Sequence, residues 1–360
     1  MEAEGKIDIA FRNLLKAKNI VDADKDNKIK RIVKERLFYM LAHIYNELGK
    51  KEKAISLYNT LKTFVQNEQV PSNEEYLYWL DAVINTNENI DKINIEDIKE
   101  RWRGENTTIN DNDLLLSYCL RLGQLYMKSN IEKAIQVYNE GCSAYCKGED
   151  DFFSESYLDV LLHLTVAYIE NNDIEKADMI LKKINEIFER YQKYLSINLK
   201  ANCFLVNGDF DFYKNNIDEA IKCYDKGITI LKKNTDFDRE LYGKFLVKKI
   251  DCLLTNSNHD KTKRAESLYD DLKKDAFNPY YQDRASLLKY VAEAAYSLGM
   301  HYGVKKNYRL AEEKFLEVRT QLEEIKGENL TTEEEQLLRL AKEKLQEYGY
   351  FSKVRHDHGE

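Results

Sequence analysis

The chain has 360 residues, enough for more than one compact domain or for a single elongated array in which length adds units rather than thickening one core. Its 63 acidic and 55 basic residues leave a net charge of -8, which disfavours nonspecific attachment to nucleic-acid phosphates or anionic lipid as the main activity. With 33% charged residues and only two prolines, Pro71 and Pro279, the composition suits many amphipathic helices and fits sheets poorly.

In chain order, the first residues lack the cationic start and continuous apolar run of a secretory signal. No segment approaches the roughly 20 apolar residues of a membrane span. A cytoplasmic chain is therefore expected, with reduced cysteines packed inside apolar helical segments. Residues 1–27 read as a partial repeat or capping helix, because Ala10 and Leu14 resemble a second repeat helix without its first. Residues 28–330 read as a repeat array. Within it, second-helix segments recur around Ala54 and Tyr58, Ala134 and Tyr138, Ala177, Ala220 and Tyr224, Ala265 and Tyr269, and Ala311 and Phe315. The alanine and the aromatic four residues on share one helical face, so the small residue admits a neighbouring helix and the ring fills the space beyond.

Upstream of each alanine the companion helix carries a small residue with an aromatic three residues later, clearest as Ala42 with Tyr45 and Gly299 with Tyr302. Thr165 and Tyr168 keep this spacing, Gly123 and Tyr126 stand one residue closer to their alanine, and Gly208 is followed by Asp211 where the aromatic is expected. Polar turns around Gly49, Asn130, Asn172 and Asn215 separate the paired helices. The unit between Ala54 and Ala134 is degenerate, with helices suggested at residues 74–85 and 95–103. Residues 331–348, opened by Thr332 and Glu335 in the manner of a capping box and striped by Leu337, Ala341, Leu345 and Tyr348, read as a C-terminal capping helix. Residues 349–360 read as a flexible tail.

These residues resemble the tetratricopeptide repeat family, and Ala42, Tyr45, Gly49, Ala54 and Tyr58 match its signature almost completely. The alanines at 134, 177, 220, 265 and 311 lie 43 to 46 residues apart. The family's usual interval is about 34, so these helices must be longer, as in the extended repeats of kinesin light chains or Rap-type regulators. The resemblance implies an all-α fold, a right-handed α-solenoid of antiparallel helix pairs forming a tetratricopeptide-like superhelix.

No glycine loop for dinucleotide phosphates, no P-loop and no His-Glu-x-x-His pattern is present, and the histidines are dispersed. The sequence therefore nominates no catalytic residue, no metal ligand and no cofactor, and it reads as a non-enzyme. The resemblance implies that first helices line the concave face, and register then places Arg36, Tyr39, His43, Asn46, Gln124, Asp159, Asn202, Glu293 and Tyr296 as partner-binding candidates. Mixed polar and aromatic groups suit recognition of a protein or peptide. Two alternatives stand beside a scaffold or adaptor. One is a ligand-responsive regulator controlling an effector. The other, RNA binding through Lys244, Lys248, Lys249, Lys261, Lys263, Arg264, Lys273 and Lys274, is disfavoured because acidic residues such as Asp251 and Glu266 interleave with them.

Overall fold

The computed structural model describes residues 2–24, 29–47, 50–66, 78, 82, 109–145, 154–234, 237–255, 258–278, 284–325, 330 and 332–358. Every regular element among them is an α-helix. The expected segment at 95–103, and all of 74–85 except the helical, buried Tyr78 and Ala82, lie outside the described residues. No helix among those described is long and apolar enough to cross a membrane. The chain divides into two compact units, residues 1–180 and 181–360.

The first unit holds α1 (Glu2–Asp22), α2 (Arg31–Glu47), α3 (Lys51–Gln66), α4 (Ile109–Met127), α5 (Ile131–Tyr145), α6 (Glu155–Glu170) and the start of α7 (Ile174–Tyr191). Helices pair α2 with α3 and α4 with α5, while α6 packs on both α4 and α5. Phe11, Leu14 and Leu15 of α1 close one end of the core formed by Leu37, Leu41, Ala54, Tyr58 and Leu61.

The second unit takes the rest of α7, then α8 (Ile197–Tyr213), α9 (Ile217–Leu231), α10 (Arg239–Leu254), α11 (His259–Ala276), α12 (Arg284–Val304), α13 (Tyr308–Ile325) and α14 (Thr332–His358). Here α8 pairs with α9, α10 with α11 and α12 with α13, and α14 covers α13. Helices α10 and α11 start on side-chain caps, where Asp238 and Asn258 accept the amides of Leu241 and Lys261, each at 2.9 Å. Helix α14 continues ten residues past the expected boundary at 348, so the stretch expected as a tail is helical as far as His358. It contains no proline, and its one glycine, Gly349, is tolerated inside a helix.

The small-residue code has a specific meaning in three dimensions. Three glycines of first helices lie beneath the aromatic ring of their own second helix: Gly123 under Tyr138, Gly208 under Tyr224 and Gly299 under Phe315. A Cβ at Gly123 or Gly208 would overlap the facing ring, and one at Gly299 would lie 3.0 Å from Phe315. The shorter interval at Gly123 therefore preserves the same packing. A second device repeats in the first unit, where the lysine preceding the alanine sits over the first-helix tyrosine: Lys53 on Tyr45, Lys133 on Tyr126 and Lys176 on Tyr168, at 5.3–5.7 Å from the ring centres.

Three turns between consecutive helices share one conformation. Asn172, Asn215 and Lys306 have φ of 60–61°, and each stands five residues before its alanine. That left-handed residue reverses the chain at the end of the first helix. Asparagine tolerates it, whereas a lysine side chain does so at a cost.

Candidate functional site

In the first unit, Tyr39 and His43 stand one turn apart on α2, with ring centres 4.7 Å from each other. Tyr39 also lies 4.3 Å from Tyr78, and His43 lies 6.3 Å edge-on from Tyr58. Arg121 of α4 donates from Nη1 to the Tyr39 hydroxyl at 3.2 Å, which ties α4 to α2. One turn beyond Arg121, Gln124 meets His163 of α6, Nε2 to Nε2 at 2.9 Å. His163 Nδ1 lies 3.0 Å from the Asp159 carbonyl oxygen and 3.5 Å from its carboxylate. With Nδ1 donating to the Asp159 carbonyl oxygen, Nε2 accepts from the Gln124 amide.

Four of the six candidates in this unit, Tyr39, His43, Gln124 and Asp159, thus fall into one polar and aromatic strip across α2, α4 and α6. Arg36 is exposed on α2, and Asn46 belongs to the helix at a position whose side chain is outside the described set. Sequence reasoning missed Arg121 and His163, which join the strip together. Leu162, next to His163 on α6, is buried in the core.

In the second unit, Glu293 and Tyr296 lie one turn apart on α12, and Asn202 is half-buried on α8. Tyr296 packs edge-on against Phe315, at 5.5 Å between ring centres. It also lines a cleft of about 370 Å³ between α10 and α12. Asp251, Leu254 and Thr255 form the α10 wall, and Ser297, Met300, His301 and Val304 complete the other side. Burial pushes the Asp251 carboxyl above the usual range, as does nearby Asp209, against a hydrogen bond from Ser297 and the charge of Lys248. Glu293 is likewise raised, chiefly by burial and further by Asp251, although Lys289, Lys248 and Lys244 oppose it. His301 is held below its ordinary value by burial and by Lys305.

Asp209, Asp251 and Glu293 are spaced at intervals of 42 residues, one on each successive first helix of this unit. Lys248 lies 3.5 Å from Asp209, and its charge also acts on Asp251. Asp209 also accepts from the Tyr224 hydroxyl at 2.7 Å, so the acidic row is joined to the aromatic packing beneath it.

Four of the eight basic residues considered for RNA binding are engaged with carboxylates, Lys248 among them through Asp209. Lys249 pairs with Asp225 at 2.5 Å, Lys261 with Asp218 at 3.8 Å and Lys273 with Glu317 at 3.3 Å. Cys119, Cys203 and Cys252 are buried, and Cys142 and Cys223 are half-buried. Burial pushes the Cys252 thiol up to about 12, which makes it a poor nucleophile.

Residues 35–63, covering most of α2 and of α3, match the family model of the tetratricopeptide repeat. Among solved structures, a Rap protein complexed with Competence and Sporulation Factor is similar over 95% of this chain and 95% of its own, at 13% identity and a TM-score of 0.52. Aspartyl phosphate phosphatase F from Bacillus subtilis is similar over 85% of this chain and 74% of its own, at 15% identity and a TM-score of 0.54. Identities this low speak for the fold alone. No curated protein matches. The fold is an all-α solenoid of helix pairs carrying a tetratricopeptide repeat, as the small and aromatic residues of the sequence imply.

Proposed function

We propose that the chain is a non-catalytic scaffold or adaptor that binds a protein or peptide along the face carried by its first helices. The observation that carries this reading is the strip from Tyr39 through Arg121 and Gln124 to His163, which joins the first helices α2, α4 and α6 with aromatic area and paired polar groups. Aromatics supply contact area at low entropic cost, and polar groups held by neighbours fix the register of an incoming chain. Affinity capture from the native host identifies the partner. The purified partner is then titrated against wild-type protein and the double variant Arg121→Glu, His163→Glu, with helicity checked by circular dichroism. Binding weaker by about tenfold or more is expected from losing two such contacts. Unchanged affinity in a folded variant would remove the strip from the reading.

A second reading is a ligand-responsive regulator. Its support is the similarity along 95% of both chains to a Rap protein whose structure holds a bound factor. A ligand with different affinities for two states shifts their populations, whereas equal affinity shifts nothing. Small-angle scattering on the saturated complex separates the readings, because a radius of gyration unchanged by ligand leaves the scaffold alone.

A further inference from the structure

The cleft between α10 and α12 has chemistry that the peptide-binding reading does not specify. Its walls are mostly apolar, and Val304 at its edge is 76% exposed, unusual for a large aliphatic side chain. The one carboxylate in the lining, Asp251, lies in the final turn of α10, which carries no basic residue. The C-terminal end of a helix bears partial negative charge and favours cations. An acid placed there is opposed by burial and by the helix itself, and both penalties fall when a cation arrives.

We propose that this cleft is a binding site for a lysine side chain of a peptide or protein partner. The aliphatic stem lies on Leu254, Tyr296, Met300 and Val304, and the ammonium meets the Asp251 carboxylate. Lysine fits better than arginine because Ser297 already hydrogen-bonds that carboxylate, which hinders the paired contacts a guanidinium fork makes, whereas an ammonium needs one point of attachment. His301 does not repel the ligand at neutral pH, since burial and Lys305 keep it uncharged there. Lys248 is engaged with Asp209 at 3.5 Å and does not line the cleft. A cleft of about 370 Å³ is at the small end for ligand sites, the size of an anchor for one side chain rather than a seat for a folded domain.

The proposal rests on the peptide-binding reading and names the chemistry of one position within it. The probe is n-pentylammonium, a lysine side chain without its backbone, compared with n-pentanol and pentanoate on the full chain. The chain has five methionines, so [13C]methyl-methionine labelling gives a sparse spectrum, with Met300 assigned through Met300→Leu. The Met300 signal should shift saturably with n-pentylammonium, and about fivefold more weakly with n-pentanol, the ratio of a partly buried ion pair. Asp251→Asn should erase that preference. Val304→Lys, at an exposed position, should block the cleft with its own ammonium and abolish the shift. Equal response to the alcohol, a preference for pentanoate, preference retained in Asp251→Asn, or no movement of Met300 overturns the proposal. If partner capture still depends on Arg121 and His163 in that event, the scaffold reading stands and only the cleft's assignment falls.

Discussion

At the scale of single residues, the stacking of rings over first-helix glycines makes two chemically identical changes unequal. Gly208→Ala drives a methyl into the Tyr224 ring, which is buried and anchored to Asp209. Overpacking of this kind costs about 1–3 kcal/mol, more than the roughly 1 kcal/mol that alanine recovers through helix propensity. Gly299→Ala meets Phe315 at 3.0 Å, a contact relieved by a small shift, so the two effects nearly cancel. Urea unfolding should therefore separate the variants, with Gly208→Ala clearly less stable than wild type and Gly299→Ala close to it. Both glycines were legible in the sequence as packing positions, because shape complementarity between a small residue and a ring leaves a fixed spacing. The acids at 209, 251 and 293 also recur at a fixed spacing, yet the repeat signature does not include them. The raised carboxyls of Asp251 and Glu293 arise from burial that only the packed helices reveal. A carboxyl whose pKa is higher in the folded chain contributes stability that is full below the unfolded value, about 4, and lost as pH rises through the folded one. Asp251→Asn and Glu293→Gln should accordingly raise the melting temperature at pH 7, with the gain shrinking toward pH 4. Equal gains at both pH values, read by calorimetry, would count against burial as the cause.

At the scale of elements, three of the turns between consecutive helices are set by one left-handed residue, and the chain fills that position unevenly. Asn172 and Asn215 are suited to it, while Lys306 adopts φ 61° with a long side chain. Relief of left-handed strain is worth about 1–2 kcal/mol, and glycine's greater freedom in the unfolded chain offsets part of that. Lys306→Gly should thus stabilise the protein by about 0.5 kcal/mol, seen as a higher urea midpoint with an unchanged slope. The position of each turn was readable because polar residues interrupt the apolar pattern there. The helix pairing was readable for the same reason. The continuation of α14 to His358 was not, because past Tyr348 only Phe351 and Val354 extend the stripe before a charged end, and so short an apolar signal is compatible with helix and with coil. The strip joining Tyr39, Arg121, Gln124 and His163 was half legible. Register placed Tyr39 and Gln124 on the first-helix face, but the contacts that bring in Arg121 and His163 cross between helices far apart in sequence.

At the scale of the whole molecule, a stack of helix pairs differs from a globular domain in how damage spreads. Each pair rests mainly on its neighbours, so stability is nearly a sum of unit and interface contributions. Tyr224 tests this within the second unit, where it is fully buried, lies over Gly208, donates to Asp209 and meets Phe245 of α10 with ring centres 6.2 Å apart. Truncating a ring so placed costs about 3–5 kcal/mol, comparable with the entire stability of a small domain. In a cooperative globule Tyr224→Ala would lower amide protection evenly. In a stack, protection should fall most in α8, α9 and α10, which touch the ring directly. It should be best retained in α13 and α14, which pack on α12 and on each other. Hydrogen exchange read by mass spectrometry resolves these segments, and uniform loss across them would show that the second unit unfolds as one block. Graded loss would have a functional consequence. The α10 and α12 walls of the Asp251 cleft belong to neighbouring pairs, so local loosening of one pair would open the cleft without unfolding the unit that holds it.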